Sequence, residues 1–406
     1  MANNNKHTGP NVPALRFPEF SGEWERKALS EFVDRVTRRN KGLKSTRPLT
    51  ISAQYGLVDQ TEFFKKSVAG ADLSNYYLLS KGEFAYNKSY SDGYPLGAIK
   101  RLDRYDSGVL SSLYICFVPK PYMSSDYLVQ YFESTKWNQV VKDISGEGAR
   151  NHGLLNVPVT GFFETQHYIP KRDEQEKLGA FLTLIEKRIA TQSKIIEELT
   201  ALRSALHQEI MSKGLKDGSW RMQTLADVLS ERTELNNDGH AVHSVSVSKG
   251  IVNQIEYLGR SFAAKDTSRY HVACPGDVVY TKSPTGEFPY GIVKQSQISI
   301  KAALSPLYGV YVPISPEIGY IIHNHFLSAK NALNYLHPLI QKGAKNTINI
   351  TNQRFLKNSM PLPSSNSVAR LYYKTIKTLS DKIDLEVSIL DQLQIQKRKL
   401  LNNMFI

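Results

Sequence analysis

Two short loops of the sequence carry a cation and then an amide side chain directly after Gly-Ala. They read Gly148-Ala149-Arg150-Asn151 and Gly343-Ala344-Lys345-Asn346, and they stand at corresponding points of the two halves of the chain. A glycine-hinged loop of this kind can approach a phosphate closely, or it can offer a bidentate fork to a base edge. Because both halves keep the loop, phosphate positioning is the better prediction, since reading different bases would need different residues.

A second pair of polar segments also recurs, Lys88-Ser89-Tyr90 and Lys282-Ser283-Pro284-Thr285. We expect Lys88, Tyr90, Lys282 and Thr285 to contact DNA, and an ordinary solvated turn is the alternative. Residues that read bases should lie where the halves differ. The candidates at such places, with surface charge of no consequence as the alternative, are Arg38, Arg39, Asn40, Lys41, Lys44, Lys249 and Arg260.

The two halves correspond through a shift of 194 residues. The residues that match under this shift are Gly82, Tyr86, Lys88, Gly97, Leu113-Tyr114 and Pro119 with Gly276, Tyr280, Lys282, Gly291, Leu307-Tyr308 and Pro313. This period is far longer than the roughly 20 to 50 residues of a solenoid repeat. It predicts a duplicated half-protein, which suits a target with two similar parts.

The composition predicts a folded chain with an anionic partner. The chain has 406 residues, of which 41% are hydrophobic, and a formal net charge of +13. Residues 1–170 carry 21 basic and 17 acidic side chains, and residues 213–363 carry 16 and 10, so both halves are positive. A basic surface attracts polyanions through counterion release, which favours nucleic acid over an anionic membrane. A membrane partner is not expected, because the sequence has no basic amphipathic helix with a bulky aromatic face and no long apolar run.

The expected compartment is the cytoplasm. Only Cys116 and Cys274 occur, both inside apolar runs, so a disulfide framework is not expected. Residues 1–13 are polar and lack the apolar core of a signal peptide, which predicts a flexible tail.

Two segments have a heptad pattern of apolar residues, which predicts long helices. The first runs from Leu178 to Ile210, and the shift of 194 gives the second, from Tyr372 to Met404, with polar interruptions at the same positions. Packing of each helix on its own domain is one interpretation. The length of the stripe and the match between its copies favour pairing of the two helices.

The polar positions favour an antiparallel pair. A parallel pair in equal register sets Arg203 against Lys397, a contact between like charges. An antiparallel pair sets Arg203 opposite Glu386 and Gln192 opposite Lys397. The residues predicted to form the contacts between the helices are Gln192, Ile196, Leu199, Arg203, Glu386, Leu390, Leu393 and Lys397.

The order of these elements resembles the specificity subunit of type I restriction-modification systems from Pro13 onwards. Besides the duplicated block and the Gly-Ala loops, the resemblance is carried by Pro13-Ala14-Leu15-Arg16-Phe17-Pro18-Glu19-Phe20-Ser21-Gly22-Glu23-Trp24 and by Ile169-Pro170 with Glu174-Gln175. Leu362-Pro363-Ser364-Ser365, before the second helix, lacks a following Glu-Gln pair. The two junctions therefore need not contact partners equally.

The resemblance implies an α+β fold with internal pseudo-twofold symmetry. Two similar mixed α/β target-recognition domains are joined by two long antiparallel helices that form a coiled-coil spacer. The expected ranges are a flexible tail (1–13), target-recognition domain 1 (14–170), the central long helix (171–212), target-recognition domain 2 (213–363) and the C-terminal long helix (364–406).

The resemblance also implies a function and a set of partners. Each domain would read one half of a bipartite site in double-stranded DNA, while the helices would set the gap and seat two methyltransferase (modification) subunits. Restriction subunits would join the full complex. S-adenosylmethionine, ATP and Mg are then expected on the partner subunits, and no cofactor is expected on this chain.

We predict no catalytic residue and no metal-binding residue in this chain. It lacks a Gly-x-x-x-x-Gly-Lys-Ser/Thr loop, an Asp/Asn-Pro-Pro-Tyr/Phe motif and a glycine-rich cofactor turn. The groups that superficially suggest a nuclease or zinc site but lack its spacing are His323-Asn324-His325, Glu133 with Lys136 and Asp126, and His240 with His243. Two other classes stay open: a stand-alone DNA methyltransferase or nuclease with cryptic motifs, and a two-domain transcriptional regulator.

Overall fold

The computed structural model describes residues 11–65, 69–70, 72–91, 93–150, 154–342 and 348–406. Contacts between residues of the chain define two compact units. Unit 1 comprises Met1–Ser193 and Ser388–Ile406, and unit 2 comprises Lys194–Val387. Both boundaries fall inside long helices, so each unit holds a part of each long helix. The five ranges expected from the sequence stay predictions.

Unit 1 alternates short strands with short helices, as its broken apolar runs predict. Its strands are β1 (Glu25–Ala28), β2 (Val33–Arg35), β3 (Leu49–Ser52), β4 (Gly56–Asp59), β5 (Tyr77–Ser80), β6 (Phe84–Asn87), β7 (Ala98–Arg101), β8 (Ser107–Leu110), β9 (Ile115–Pro119), β10 (Gly146–Arg150), β11 (Leu154–Asn156) and β12 (Gln166–Ile169). Its short helices are α1 (Leu29–Phe32), α2 (Gln60–Phe64), α3 (Ser125–Glu133), α4 (Lys136–Ile144) and α5 (Val159–Glu164).

The first long helix and unit 2 follow. The long helix α6 spans Arg172–Asp217. The strands of unit 2 are β13 (Trp220–Thr224), β14 (Leu229–Glu231), β15 (His243–Ser246), β16 (Gly250–Asn253), β17 (His271–Ala273), β18 (Val278–Thr281), β19 (Ile292–Gln295), β20 (Ala302–Leu304), β21 (Gly309–Pro313), β22 (Gln341–Lys342), β23 (Ile348–Asn349) and β24 (Ser359–Pro363). Its helices are α7 (Gln254–Leu258), α8 (Pro316–His325), α9 (Ala329–Leu336), α10 (Asn352–Phe355) and the long α11 (Asn366–Met404), with 3-10 turns at Leu225–Asp227 and His337–Leu339.

Each unit is built around one four-stranded antiparallel sheet. The strand order is β2-β9-β6-β7 in unit 1 and β14-β21-β18-β19 in unit 2. The registers correspond as well, because Tyr86 pairs with Ile115 in one sheet, and Tyr280 pairs with Gly309 in the other, each 194 residues further along. The repeat in the sequence is therefore a repeat of strand pairing.

Both faces of each sheet are covered. Successive side chains of a strand point to opposite faces. Accordingly, Phe84 and Tyr86 belong to one core cluster of unit 1, whereas Ala85 belongs to another. In unit 2, the adjacent residues Tyr280 and Val279 likewise belong to two different core clusters. The central strands therefore bury apolar residues at consecutive positions, as strands covered on both faces do.

The long helices bury turns near their ends against the unit cores. The residues that do so are Leu178, Leu182, Leu401 and Met404 in unit 1 and Met211, Ala369, Tyr372 and Ile376 in unit 2. Ile196 and Leu390, nearer the middle of each helix, are half-buried and belong to none of the core clusters of the described residues. Each long helix thus buries one end in the core of unit 1 and the other end in the core of unit 2, whereas the alternative to helix pairing expects each helix to pack on a single unit.

Within unit 2 the two long helices run antiparallel, as the sequence predicts. Arg203 of α6 donates to the hydroxyl of Ser380 in α11 over 3.3 Å. His207, one turn further along α6, hydrogen-bonds at 2.6 Å to Tyr372, two turns earlier in α11. The partner numbers fall as the α6 numbers rise, which defines the antiparallel direction.

The first long helix begins with the Glu-Gln pair that the second lacks. Glu174 accepts hydrogen bonds from Arg16 at 2.7 and 2.8 Å and from the Trp24 indole at 3.3 Å. Gln175 accepts from the backbone N–H of Ser124 at 2.9 Å. The pair fastens the N-terminal segment and α3 to the start of α6.

Candidate nucleic-acid interface

The loop after the central strand is built in the same way in both units. In unit 1 the Tyr86 hydroxyl donates to the carbonyl of Leu96 at 2.7 Å, and in unit 2 the Tyr280 hydroxyl donates to the carbonyl of Tyr290 at 2.8 Å. Each bond ties the end of the loop back to the strand from which the loop starts. The geometry of the loop is thus set by the repeated sheet.

Gly97 and Gly291 close these loops. Their φ angles are +80° and +97°, a region that L side chains rarely adopt. A Cβ at either position would lie inside contact distance of a backbone carbonyl oxygen, that of Asn87 or that of Thr281. Glycine is therefore required where each loop returns to the sheet.

The predicted contact residues of these two loops differ in how exposed they are. Tyr90 is 62% exposed, and Thr285 is exposed, whereas Lys88 and Lys282 are half-buried. Burial lowers the pKa of Lys282 from its ordinary value, and the nearby charge of Glu231 opposes the shift. Among these four predicted contact residues, Tyr90 and Thr285 are therefore more accessible than the two lysines.

In unit 1 the hairpin of β10 and β11 lies against the loop of Lys88. The backbone N–H of Leu155 donates to the carbonyl of Lys88 at 2.9 Å, and Arg150 is the last residue of β10. The hairpin whose first strand ends at Arg150 therefore contacts the Lys88 segment through Leu155 of its second strand. The other members of the Gly-Ala set, Asn151, Lys345 and Asn346, lie outside the described residues.

Arg38 is bound by a carboxylate. It donates to Glu83 and, at 2.9 Å, to the hydroxyl of Ser80. Unit 2 repeats the pair, because Arg232 donates to the carboxylate of Asp277 at 2.7 and 3.1 Å, both residues 194 further along. A pair kept in both units favours a structural role for Arg38, and its contact with bases stays a prediction.

The neighbours of Arg38 differ in how they are held. Arg39 donates to the carbonyl of Asn75 at 2.5 Å and lies over the ring of Tyr77 at 4.4 Å. Asn40 is buried and fixes its own loop through the backbone of Ser45. Lys41 and Lys44 are exposed. The exposed lysines are the members of this segment that a polyanion reaches most easily.

The short helices α2 and α7 both expose apolar side chains, which the sequence analysis missed. They occupy equivalent positions, each after a hairpin, and are capped by Asp59 and Asn253, whose side chains accept backbone N–H bonds. The exposed residues are Phe63 (44%), Phe64 (43%), Ile255 (60%), Tyr257 (43%) and Leu258 (45%). The available signal was an apolar cluster directly after an Asx cap in both halves.

Cations accompany this surface in unit 2. Lys249 lies over the ring of Tyr257 at 5.6 Å, and Arg260 lies over the ring of Phe262 at 4.5 Å. Both predicted DNA-contact residues therefore lie next to exposed aromatic rings. Exposed rings with adjacent cations are the arrangement that stacks on bases and binds phosphates.

The residues predicted to lie between the long helices are shielded from solvent. Gln192 and Glu386 are each 8% exposed, and the half-buried members are Ile196, Leu199, Arg203, Leu390, Leu393 and Lys397. Lys397 donates to Glu186 at 2.6 Å, and Arg203 donates to Ser380. The predicted facing pairs, Arg203 with Glu386 and Gln192 with Lys397, stay predictions.

The described part of the chain gives no sign of a metal centre or a membrane span. None of its groups of His, Cys, Asp and Glu could hold a metal ion. None of its helices is long and apolar enough to cross a membrane.

The fold is that of a duplicated α+β protein with two long helices, and solved structures share it. The S subunit of a type I restriction-modification system from M. genitalium matches with a TM-score of 0.58 and 12% identity, over 97% of this chain and 99% of that one. This likeness concerns the fold.

Two further structures are similar over most of their length. The HsdS subunit from Thermoanaerobacter tengcongensis matches with a TM-score of 0.42 and 13% identity, over 94% of this chain and 96% of that one. A chain from a structure of type I R-M complex assembly and conformational transition matches with a TM-score of 0.49 and 14% identity, over 94% and 97%. No protein-family model and no curated protein matches the sequence.

Proposed function

We propose that this chain is the non-catalytic DNA-recognition subunit of a type I restriction-modification complex, in which each unit reads one half of a bipartite target. The observation that carries the proposal is the duplicated sheet with equal register, which presents an equivalent loop and lysine in each unit. The positive charge of both halves supports a polyanionic partner. The fold of the M. genitalium S subunit suggests the class of complex.

The partners follow from the same proposal. Two methyltransferase subunits would dock on the long helices, and restriction subunits would complete the assembly. S-adenosylmethionine, ATP and Mg would be bound by those partners. This chain would bind DNA and hold the subunits, and it would carry out no chemical step.

Mapping of methylated adenines in the host genome, with and without the gene for this chain, tests the proposal. We expect loss of methylation at one bipartite sequence when the gene is deleted, and we expect two methyltransferase subunits to co-purify with each copy of the chain. Methyl transfer or DNA cleavage by the purified chain alone would contradict a non-catalytic role.

Salt dependence tests the Gly-Ala loops. Replacing Arg150 or Lys345 with Ala should weaken binding of the assembled complex to any sequence and lower the salt slope by about one unit for each residue. Lys194→Ala, on the exposed side of α6, is the control that should leave the slope unchanged. An altered target sequence at an unchanged slope would contradict the assignment to phosphates.

Insertion of one heptad into either long helix tests the spacer. The permitted gap between half-sites should change, or binding should be lost, while the half-sites themselves stay the same. An unchanged gap would remove the spacer role and leave the recognition role standing.

A further inference from the structure

In unit 1, two shielded lysines are each paired with a carboxylate. Lys100 donates to Glu133, and Lys397 donates to Glu186 at 2.6 Å. Gln130 donates a further hydrogen bond to Glu186 at 2.9 Å. Two positive and two negative charges therefore cancel at this place.

Unit 2 keeps both cations and lacks both carboxylates. The residues that correspond under the shift of 194 are Lys294 for Lys100, Leu327 for Glu133, Arg203 for Lys397 and Ser380 for Glu186. Although α8 starts earlier than α3, the pattern of buried and half-buried residues is the same at 127–133 and at 321–327. The correspondence therefore holds where the charges lie.

Among the described residues, neither Lys294 nor Arg203 forms a salt bridge, and the carboxylate of Glu386, which is predicted to face Arg203, pairs with Lys382. Lys294 is 4% exposed, and Arg203 donates to the neutral hydroxyl of Ser380. Burial, together with the charge of Arg203, lowers the pKa of Lys294 to about 8. A buried charge without a counter-charge destabilises a fold. An anion bound nearby would relieve that cost.

A cavity of about 700 Å³ opens beside Arg203, within unit 2. Its lining side chains include Arg203, His207, Asn324, Lys330, Asn331 and Asn334, and no carboxylate of the described residues lines it. Guanidinium, ammonium and amide N–H groups are the donors that a carboxylate accepts from. The lining therefore fits an anionic occupant with several acceptor oxygens.

The cavity is not lined by any predicted DNA contact of unit 2 that lies among the described residues. It is lined by α6, by the end of α8 and by α9 with the residues before it, and none of Lys249, Arg260, Lys282 and Thr285 lines it. In unit 1 the equivalent charges are neutralised by glutamates. Both observations favour carboxylates over DNA phosphates as the missing anions.

We propose that this cavity of unit 2 binds an acidic segment of a partner protein, whose Asp or Glu carboxylates supply beside Arg203 the negative charge that Glu186 supplies beside Lys397 in unit 1. The proposal rests on the proposed function only in that the partner is a subunit of the assembled complex. Unit 1 has no need of such a segment, because its own glutamates neutralise its lysines.

Binding of a fluorescent hexaglutamate peptide to the full chain, followed by anisotropy without DNA, tests the proposal. Arg203→Gln and Lys330→Gln should each weaken binding by about fivefold or more, the effect of losing a charge-assisted contact. Lys397→Gln and Lys136→Gln change the equivalent residues of unit 1 and should leave binding unchanged. Ser380→Glu places the unit 1 carboxylate beside Arg203 and should also weaken binding.

Three results would overturn the proposal. The first is that hexaglutamate does not bind. The second is that the unit 1 variants reduce binding as much as the unit 2 variants do. The third is that inorganic phosphate or an oligonucleotide displaces the peptide at a lower concentration than unlabelled hexaglutamate does. Hexaglutamine should not bind. Because the assay contains no DNA, its failure leaves the recognition function untouched, and that function is tested separately by the methylation map.

Discussion

Unit 1 and unit 2 have the same strand register but fill the space beside their long helices differently. Where unit 1 has Leu401, Leu178 and Tyr131, unit 2 has His207, Tyr372 and His325. In unit 2 these side chains form a hydrogen-bonded group, with His207 at 2.6 Å from Tyr372 and 3.3 Å from His325. Asn324 completes the group by donating to Tyr372 at 2.7 Å.

The difference shows which features the fold requires. The backbone pairing and the loop-closing glycines are common to both units, whereas Leu178 and Leu401 of unit 1 are replaced by members of a polar group in unit 2. A buried polar group is tolerated when its members satisfy one another. Its cost is sensitivity to protonation; in unit 1 the corresponding Tyr131 hydrogen-bonds at 2.7 Å to one buried histidine, His167.

The largest expected difference between the units is in their response to acid. In unit 2, burial lowers the pKa values of His207 and His323 to about 3 and that of His325 to about 4, and in unit 1 burial lowers the pKa of His167 to about 4. Unfolded histidine titrates near a pKa of about 6.5, so stability is full above that pH and falls as the pH drops. At pH 5 we expect a loss of about 6 kcal/mol in unit 2 and about 2 kcal/mol in unit 1.

Tryptophan fluorescence separates the two responses, because Trp220 is the one tryptophan of unit 2 and Trp24 and Trp137 belong to unit 1. Urea unfolding at pH 7 and pH 5 would be followed in Trp24→Phe/Trp137→Phe and in Trp220→Phe chains. The exchange His207→Leu/His325→Tyr imports the residues of unit 1 and should remove about two thirds of the acid sensitivity of unit 2, the remainder coming from His323. Equal acid sensitivity of both units would contradict the prediction.

Alanine at the loop-closing glycines should be the most damaging single change. Gly97→Ala or Gly291→Ala sets a Cβ against a carbonyl oxygen in a backbone conformation with positive φ, and we expect each to lower the free energy of unfolding by about 3 kcal/mol or more. Gly82→Ala and Gly276→Ala are the controls, with positive φ and nothing within 4 Å, and should lose only about 1 kcal/mol. Similar losses at all four positions would show that close approach plays no part.

Removal of the unit 1 carboxylates should make unit 1 resemble unit 2. In Glu133→Leu/Glu186→Ser, Lys100 and Lys397 lose their partners, and we expect the free energy of unfolding to fall by about 2 kcal/mol, less than for a fully buried pair. The same chain should gain hexaglutamate binding in unit 1. Urea unfolding and peptide anisotropy check the two effects, and an unchanged stability would show that these ion pairs contribute nothing.

The smallest expected effect concerns the apolar surface of α2 and α7. Phe64→Ala and Leu258→Ala should each weaken DNA binding by about 1 kcal/mol, the order expected when a partly exposed apolar side chain loses its buried area at an interface, and each should act on one half-site. Anisotropy with DNA mutated in either half-site measures the effect. Leu184→Ala, at a more exposed apolar residue of α6 (64%), should leave DNA affinity unchanged. Equal effects of Phe64→Ala on both half-sites would contradict the assignment.

The sequence predicts the fold well because its signals are periodic. The shift of 194 residues carries Tyr86 onto Tyr280, and the heptad pattern predicts two long helices that the structure places at Arg172–Asp217 and Asn366–Met404. The fold class is confirmed. These features depend on spacing, which a single sequence displays directly.

The side-chain partners could not be predicted in the same way. Lys397 and Glu186 are separated by 211 residues, and no pattern in one sequence links them. Arg38 looks like a free cation until the structure places Glu83 beside it. The exposure of Phe63 and Phe64 was missed because apolar clusters usually indicate core. Contacts of this kind arise from tertiary packing, which local pattern does not encode.

The double covering of the two sheets limits where related chains can differ. A residue such as Ala85 or Val279 has neighbours on every side, so a change there must preserve size and polarity. The chain has more freedom beyond the strand ends, between Lys88 and Leu96 and between Lys282 and Tyr290. Under the proposed recognition function, chains of this fold with other targets should therefore share the sheet and differ mainly in the composition and length of these two segments.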